Sequence, residues 1–152
     1  AIERQPRLQL PCRHPAIVLT EDLAAHERLK LFLLNAGHSL LVESWHRGGA
    51  PEGMTVGQAM RNAELRGELE AFWVDEALPV FDALGQGAEA RRYLEDLRER
   101  LANPFLAHRL ADIAQNHATK KQRRLAPLLA LANQHTPQLP APRLRRALAT
   151  AN

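Results

Sequence analysis

The stretch Lys30-Leu-Phe-Leu-Leu-Asn35-Ala-Gly-His38-Ser39 decides how this chain is read. Leu29, Leu31, Phe32, Leu33, Leu34, Ala36, Leu40, Leu41 and Val42 surround it with apolar surface, and a helix apolar on all sides is normally buried. Three polar side chains interrupt it: Lys30, Asn35 and His38. At about 100° per residue they fall at roughly 0°, 140° and 80°, within one half of the helix circumference. Burying an ammonium, an amide and an imidazole together costs several kcal/mol unless each finds a partner. Taken singly, each has an ordinary reading: Lys30 snorkelling to solvent, Asn35 capping a break at Gly37, His38 satisfied in the core. Taken together they are a kit for proton transfer. A desolvated lysine loses its proton near neutral pH, and an amide and an imidazole beside it hydrogen-bond an oxygen whose charge is changing. That chemistry suits an alcohol being oxidised to a carbonyl.

The rest of the chain supports a single helical domain. Its 152 residues, 45% hydrophobic and 24% charged, are enough to bury a sizeable core and too apolar for disorder. The single Cys12 excludes an internal disulfide framework and suits a reducing cytoplasm. Cys12 and His14 have no second cysteine or acidic cluster near them, so Cys12 reads as a structural thiol and no metal is expected. There is no signal peptide pattern, and polar residues interrupt the longest apolar runs, so no membrane span is expected.

Residues 1–19, with prolines at 6, 11 and 15, read as an extended arm carrying one short strand at 16–19. Thr20-Glu-Asp starts a helix that runs to about Trp45, with a break expected near Gly37. A short helix follows Thr55. A long one starts near Asn62 with Leu65, Leu69, Phe72, Trp73, Ala77 and Val80 inward, until Pro79 kinks or ends it. Residues 90–101 form a surface helix facing inward through Tyr93, Leu97 and Leu101. Asn103-Pro104 starts the next helix, which turns Leu106, Leu110, Ile113 and Ala114 inward and ends near Asn116-His117. Further helices are expected over 119–133 and 142–149. The fold class is therefore all-α with a minor short-strand element, with residues 20–152 as the helical domain.

Lys30-x4-Asn35-x2-His38, in the setting ERLKLFLLNAGHSLL, resembles the catalytic signature of the polyol-specific long-chain dehydrogenases, the mannitol dehydrogenase family. AIE at 1–3, IVLTEDL at 17–23, TVGQAMRNAELR at 55–66, DEALPVF at 75–81 and NPFLAHRLADIAQNHATKKQRRLAP at 103–127 resemble further family segments in the same order. The resemblance implies an NAD(P)-dependent oxidoreductase interconverting a polyol or sugar acid and its keto form. In it Lys30 is the general base, Asn35 helps to stabilise the oxyanion and His38 bonds substrate oxygen. It assigns Lys120 to substrate, with Asn116 and Arg109 as further candidates. Where mannitol enzymes have a substrate-contacting arginine this chain has Asp112, and where they have Asp-Gly it has Asn116-His117. Both departures favour a sugar acid or another polyol over mannitol, with His108, Arg109 and His117 as candidates for a replacement cation.

The eight glycines include none placed after a buried strand, as a dinucleotide-binding turn requires. The resemblance places that site in an N-terminal Rossmann domain preceding this C-terminal helical domain, with residues 1–19 as the remnant of the junction. A helical interaction module without catalysis is the alternative. From Ile113 onward there is no acidic residue, against Lys120, Lys121, Arg123, Arg124, Arg143, Arg145 and Arg146. Without interleaved aromatics or a nucleic-acid motif, this run reads as a solvated face or as a field attracting an anionic substrate, not as a nucleic-acid footprint. Calorimetric titration of NAD+ into the 152-residue chain is expected to show no micromolar binding; such binding would mean that the cofactor domain has been misplaced.

Overall fold

The computed structural model describes residues 2–3, 19–20, 22–105 and 107–150. Cys12, His14, the expected strand residues 16–18 and Leu106 lie outside them. Two short strands, β1 (Ile2–Glu3) and β2 (Leu19–Thr20), pair in parallel with Ile2 opposite Leu19. The other described residues are helix, turn and connecting segments with one antiparallel bridge between Thr55 and Arg109, and no helix among the described residues is long and apolar enough to cross a membrane.

A single rod forms the spine. Asp22 caps it, accepting a hydrogen bond from the Ala25 N–H at 2.8 Å. The chain then passes through α1 (Leu23–Leu29), a π-helical turn π1 (Lys30–Asn35) and α2 (Ala36–Arg47). The break expected at Gly37 does not occur. Gly37 is buried inside α2, and its missing side chain makes room for a neighbour: a Cβ there would lie 3.1 Å from Trp73 Nε1 and 3.3 Å from Leu69 Cδ1.

That neighbour comes from a second rod. Thr55 and Gln58 form a reciprocal capping box at the start of α3 (Val56–Arg61). Asn62 then accepts from the N–H groups of Glu64 and Leu65 and opens α4 (Ala63–Phe72). A second π turn, π2 (Trp73–Ala77), leads into α5 (Leu78–Ala83). Pro79 neither ends nor breaks this helix. Proline lacks an N–H and crowds the carbonyl four residues back, and the wider π turn just before it absorbs both defects. The two π turns meet where the buried Trp73 Nε1 donates to the Leu33 carbonyl at 3.0 Å.

The remaining helices close the core. In α6 (Gly87–Ala102), Ala90, Leu94, Leu97 and Leu101 are buried and Tyr93 is half-buried. The helix expected from Pro104 is absent. Asn103 instead accepts from the Phe105 N–H in a tight turn, and helix resumes only at α7 (Leu110–Ala114). Backbone hydrogen bonds Val56 N–H to His108 O and Leu110 N–H to Met54 O, each 2.9 Å, pin this connection to the start of α3. The helix expected over 119–133 is two, α8 (His117–Arg124) and α9 (Ala126–His135), because Pro127 fits only the first turn of a new helix. The last helix, α10 (Pro142–Ala149), spans the expected residues. Leu33, Leu41, Leu69, Phe72, Trp73, Phe81, Leu97, Leu110, Leu128 and Leu144 make one continuous core around the spine.

Gly37 and Gly67 make a controlled pair. Adding a methyl inside a helix gains about 1 kcal/mol of propensity, whereas overpacking a core costs about 1–3 kcal/mol. Gly67 has nothing within 4 Å, so Gly67→Ala should stabilise the domain. The indole facing Gly37 is buried and held by its hydrogen bond, so Gly37→Ala should destabilise it by about 1 kcal/mol. Urea denaturation of both variants checks this, and equal effects would show that Trp73 yields freely.

Candidate active site

The π turn changes the geometry expected of the signature. The Ala36 N–H reaches back five residues to the Leu31 carbonyl. Residues five apart therefore stand about one turn above one another, instead of the roughly 140° apart of an α-helix. Lys30 and Asn35 accordingly share the wall of an open cleft of about 670 Å³, together with Glu27, Arg28 and Leu131. The expectation that Lys30 is buried fails: its side chain is exposed, while Asn35 and His38 are half-buried. The rod is not apolar on every face, because Lys30 points its stretch of helix toward solvent. His38 does not line the cleft. It sits to one side, its ring edge-on to His108 with centroids 5.7 Å apart.

His38 is chemically the most distinctive of the three. Its Nε2 is buried without a hydrogen-bond partner among the described residues. Burial first, then the charges of His108, Arg124, Arg100 and Lys120, push its pKa down from 6.5 to about 4. At neutral pH it is a neutral imidazole with one unfilled position. Arg124, half-buried on α8, lies over the same segment, with Nη1 3.4 Å from both the Asn35 carbonyl and Ser39 Oγ.

None of the three expected substrate residues lines the cleft of Lys30 and Asn35. Lys120 donates through Nζ to the Ile113 carbonyl at 2.8 Å. Asn116 holds a left-handed backbone (φ 55°) just ahead of α8 and is exposed. Arg109 is exposed and forms a two-pronged pair with Asp112, Nε to Oδ2 at 3.0 Å and Nη2 to Oδ1 at 3.2 Å. Asp112 therefore has its own counter-charge, and Arg109 is committed to it.

His117, considered above as a replacement cation, is corrected to a structural role. Its Nε2 lies 2.8 Å from Glu43 Oε1 in the core, where Lys121 Nζ reaches the same oxygen at 2.7 Å. Thr150 Oγ1 donates to Glu43 Oε2, and Lys121 Nζ also donates to the Thr150 carbonyl at 2.7 Å. Burial works to raise the Glu43 pKa, but the hydrogen bonds from Lys121, Thr150 and His117 outweigh it and hold the carboxyl below its ordinary value. Burial likewise lowers His117, against the pull of Glu43. The only signal for this network in the sequence was a glutamate amid the apolar residues of LLVESW.

The basic C-terminal run is largely answered by carboxylates from the first half of the chain. Besides the Lys121–Glu43 pair, Arg146 and Arg143 meet Glu68, and the buried Glu76 accepts from Arg143 Nη1. Glu76 also accepts from the N–H groups of Arg143 and Leu144 at 2.9 and 3.0 Å, capping α10 from a distance in sequence.

A family model described as Mannitol dehydrogenase C-terminal domain matches residues 22–150. The altronate oxidoreductase of Klebsiella pneumoniae (strain 342) is 34% identical over 131 residues, covering 86% of this chain and 26% of that protein. Its counterpart in Enterobacter sp. (strain 638) is 32% identical over 133 residues, covering 88% and 26%. That of Yersinia pestis is 34% identical over 131 residues, covering 86% and 26%. No solved structure matches significantly. The chain belongs to the mannitol dehydrogenase C-terminal domain family, as its signature implied. It spans about a quarter of the length of these curated relatives.

The depressed His38 pKa makes a stability prediction. Between about pH 4 and 6.5 the folded chain keeps this imidazole neutral while the unfolded chain protonates it, so its contribution is present above pH 6.5 and lost as pH falls toward 4. The loss is on the order of 3 kcal/mol. In urea denaturation at pH 7.5 and pH 4.5, wild type should lose more stability than His38→Asn; equal losses would mean that His38 titrates normally.

Proposed function

We propose that this domain supplies the proton-handling residues of an NAD(P)-dependent oxidoreductase acting on a polyol or sugar acid, with Lys30 as the general base. The observation that carries the reading is the π turn. It stacks Lys30 and Asn35 on one cleft wall and leaves a neutral His38 beside them, in a chain of this family. Lys30 takes the hydroxyl proton of the alcohol, or returns one to the oxygen of the keto form. The Asn35 amide on the same wall holds that oxygen as its charge changes, and the role of His38, which stands off that wall with a buried Nε2, rests on the family signature alone. When bound, the nicotinamide cofactor supplies the hydride acceptor. Among the described residues no strand leads through a glycine-rich turn into a helix, so its nucleotide would be held by a separate Rossmann domain.

Exposure of Lys30 bears on the mechanism. A lysine becomes an efficient base near neutral pH when desolvated, and this domain alone leaves it in water. Cover over the open cleft by the cofactor-binding domain and substrate would provide that desolvation. The same exposure favours the second reading, an interaction module without catalysis. For substrate we favour an acidic sugar: the relatives named above are altronate oxidoreductases, and Arg100, Lys120 and Arg124 are close enough to depress the His38 pKa.

The test uses a polypeptide that carries this domain together with its dinucleotide-binding domain. Lys30→Ala should lower alcohol oxidation by orders of magnitude and remove its pH dependence near neutrality. Asn35→Ala should cost roughly 2–4 kcal/mol of transition-state stabilisation with the pH profile unchanged. Near-normal turnover by Lys30→Ala would favour the module. On substrate, kcat/KM for tagaturonate reduction should exceed that for fructose, and a preference for fructose would remove the acidic-sugar assignment.

A further inference from the structure

Among the described residues, the carboxylates that answer the basic C-terminal run leave one half-buried guanidinium, Arg124, without a counter-charge. Lys121, Arg143 and Arg146 each meet a glutamate. Arg123 and Arg145 stand in solvent, where a lone charge costs little. Arg124 is different: it is half-buried and has no carboxylate partner among the described residues. Its protein contacts, two at 3.4 Å, are longer than a good N–H···O hydrogen bond. Removing a cation from water without a counter-charge is costly, and burial already works against this one, lowering the Arg124 pKa. The neighbouring His38 Nε2 is likewise buried and unfilled. Arg100 and Lys120 add further positive charge around His38, so the region favours an anion.

The geometry points to Arg124 as the residue that reads the carboxylate of an acidic sugar substrate. This rests on the function proposed above. A guanidinium presents a planar fork of N–H donors that matches the two oxygens of a carboxylate, and long contacts to Asn35 and Ser39 leave that fork largely available. Of the residues suggested from sequence for substrate contact or as a replacement cation, Lys120 directs its ammonium to the Ile113 carbonyl, Arg109 is paired with Asp112 and His117 lies against Glu43. Arg124 acts here as a specificity-determining residue. The competing account is that it only braces α2 against α8.

Binding of altronate and of its neutral polyol altritol to the 152-residue chain separates the two accounts. Each would be titrated by NMR, following the His38 ring signals. Wild type should bind altronate at least about tenfold more tightly than altritol. Arg124→Gln should weaken altronate roughly 10- to 100-fold more than altritol, and Arg124→Lys, which keeps the charge but not the fork, should recover part of the difference. Arg124→Lys also carries the test if Arg124→Gln does not fold. Equal binding of the two ligands by wild type, or equal weakening of both by the substitutions, would overturn the assignment. A parallel kcat/KM comparison in the complete polypeptide distinguishes the failures. An Arg124-dependent preference without turnover would leave this site standing and remove the proposed function. Turnover of altronate with no Arg124-dependent preference would do the reverse.

Discussion

The hydrogen bond from the Trp73 indole to the Leu33 carbonyl is the constraint on which the rest depends. It ties the two long rods together at the one place where both leave α-helical winding. In a π turn the carbonyls shift from their usual partners, and a buried carbonyl left unsatisfied costs about 1–3 kcal/mol. The indole supplies a donor from outside the helix. Gly37 makes the approach possible by having no side chain, and Arg98, ion-paired to Glu70, lies over the indole 5.9 Å from the ring centroid. The same π turn that needs this support moves Asn35 beneath Lys30. The packing of the core and the alignment of the candidate site are therefore one problem, solved by one contact between residues 40 apart in sequence.

Much of this was legible in the sequence because it is local. Thr55 and Asn62 began helices as their side chains require, and Leu65, Leu69, Phe72, Trp73, Ala77 and Val80 are buried as their spacing indicated. What was misread depends on contacts with no local signature. A π turn and an α-turn look alike in a run such as KLFLLN, so the 100° rule put Asn35 on the wrong meridian. Gly37 looked like a helix breaker because its reason for being glycine, the indole, lies in another helix. Asn103-Pro104 looked like a helix start, but Asn103 caps a tight turn and the following residues 108–110 pair with the Met54–Val56 stretch, so helix resumes only at Leu110. Lys30, Asn35 and His38 were singled out because their polarity stood out; Arg124 did not stand out in a basic run until its neighbours proved to be paired.

Charge follows the same logic of long-range satisfaction. Residues 113–152 have no acidic residue of their own, so α8 and α10 hold basic residues against the body by docking on Glu43, Glu68 and Glu76. Breaking a buried pair by removing one partner typically costs 3–5 kcal/mol, so Glu43 with Lys121, and Glu76 at the head of α10, specify where these helices sit. Because Arg124 belongs to the same α8 as Lys121, the Glu43 pair also sets the position of Arg124 over Ser39.

This division of labour explains why the candidate site is both rigid and incomplete. Its polar groups stand on helices whose packing is fixed by the core and by buried ion pairs, so their relative positions do not await a ligand. Among the described residues their partners are missing: Lys30 lies in an open cleft, His38 Nε2 has no hydrogen-bond partner and Arg124 has no carboxylate partner. Glu43 and Glu76, by contrast, meet their counter-charges within the fold. On the proposed reading each of the other three is relieved from outside, Lys30 by desolvation, His38 by a substrate oxygen and Arg124 by a carboxylate. Binding energy is then gained at the groups that handle the proton and the charge, and a neutral, smaller or uncovered ligand leaves part of it unrealised.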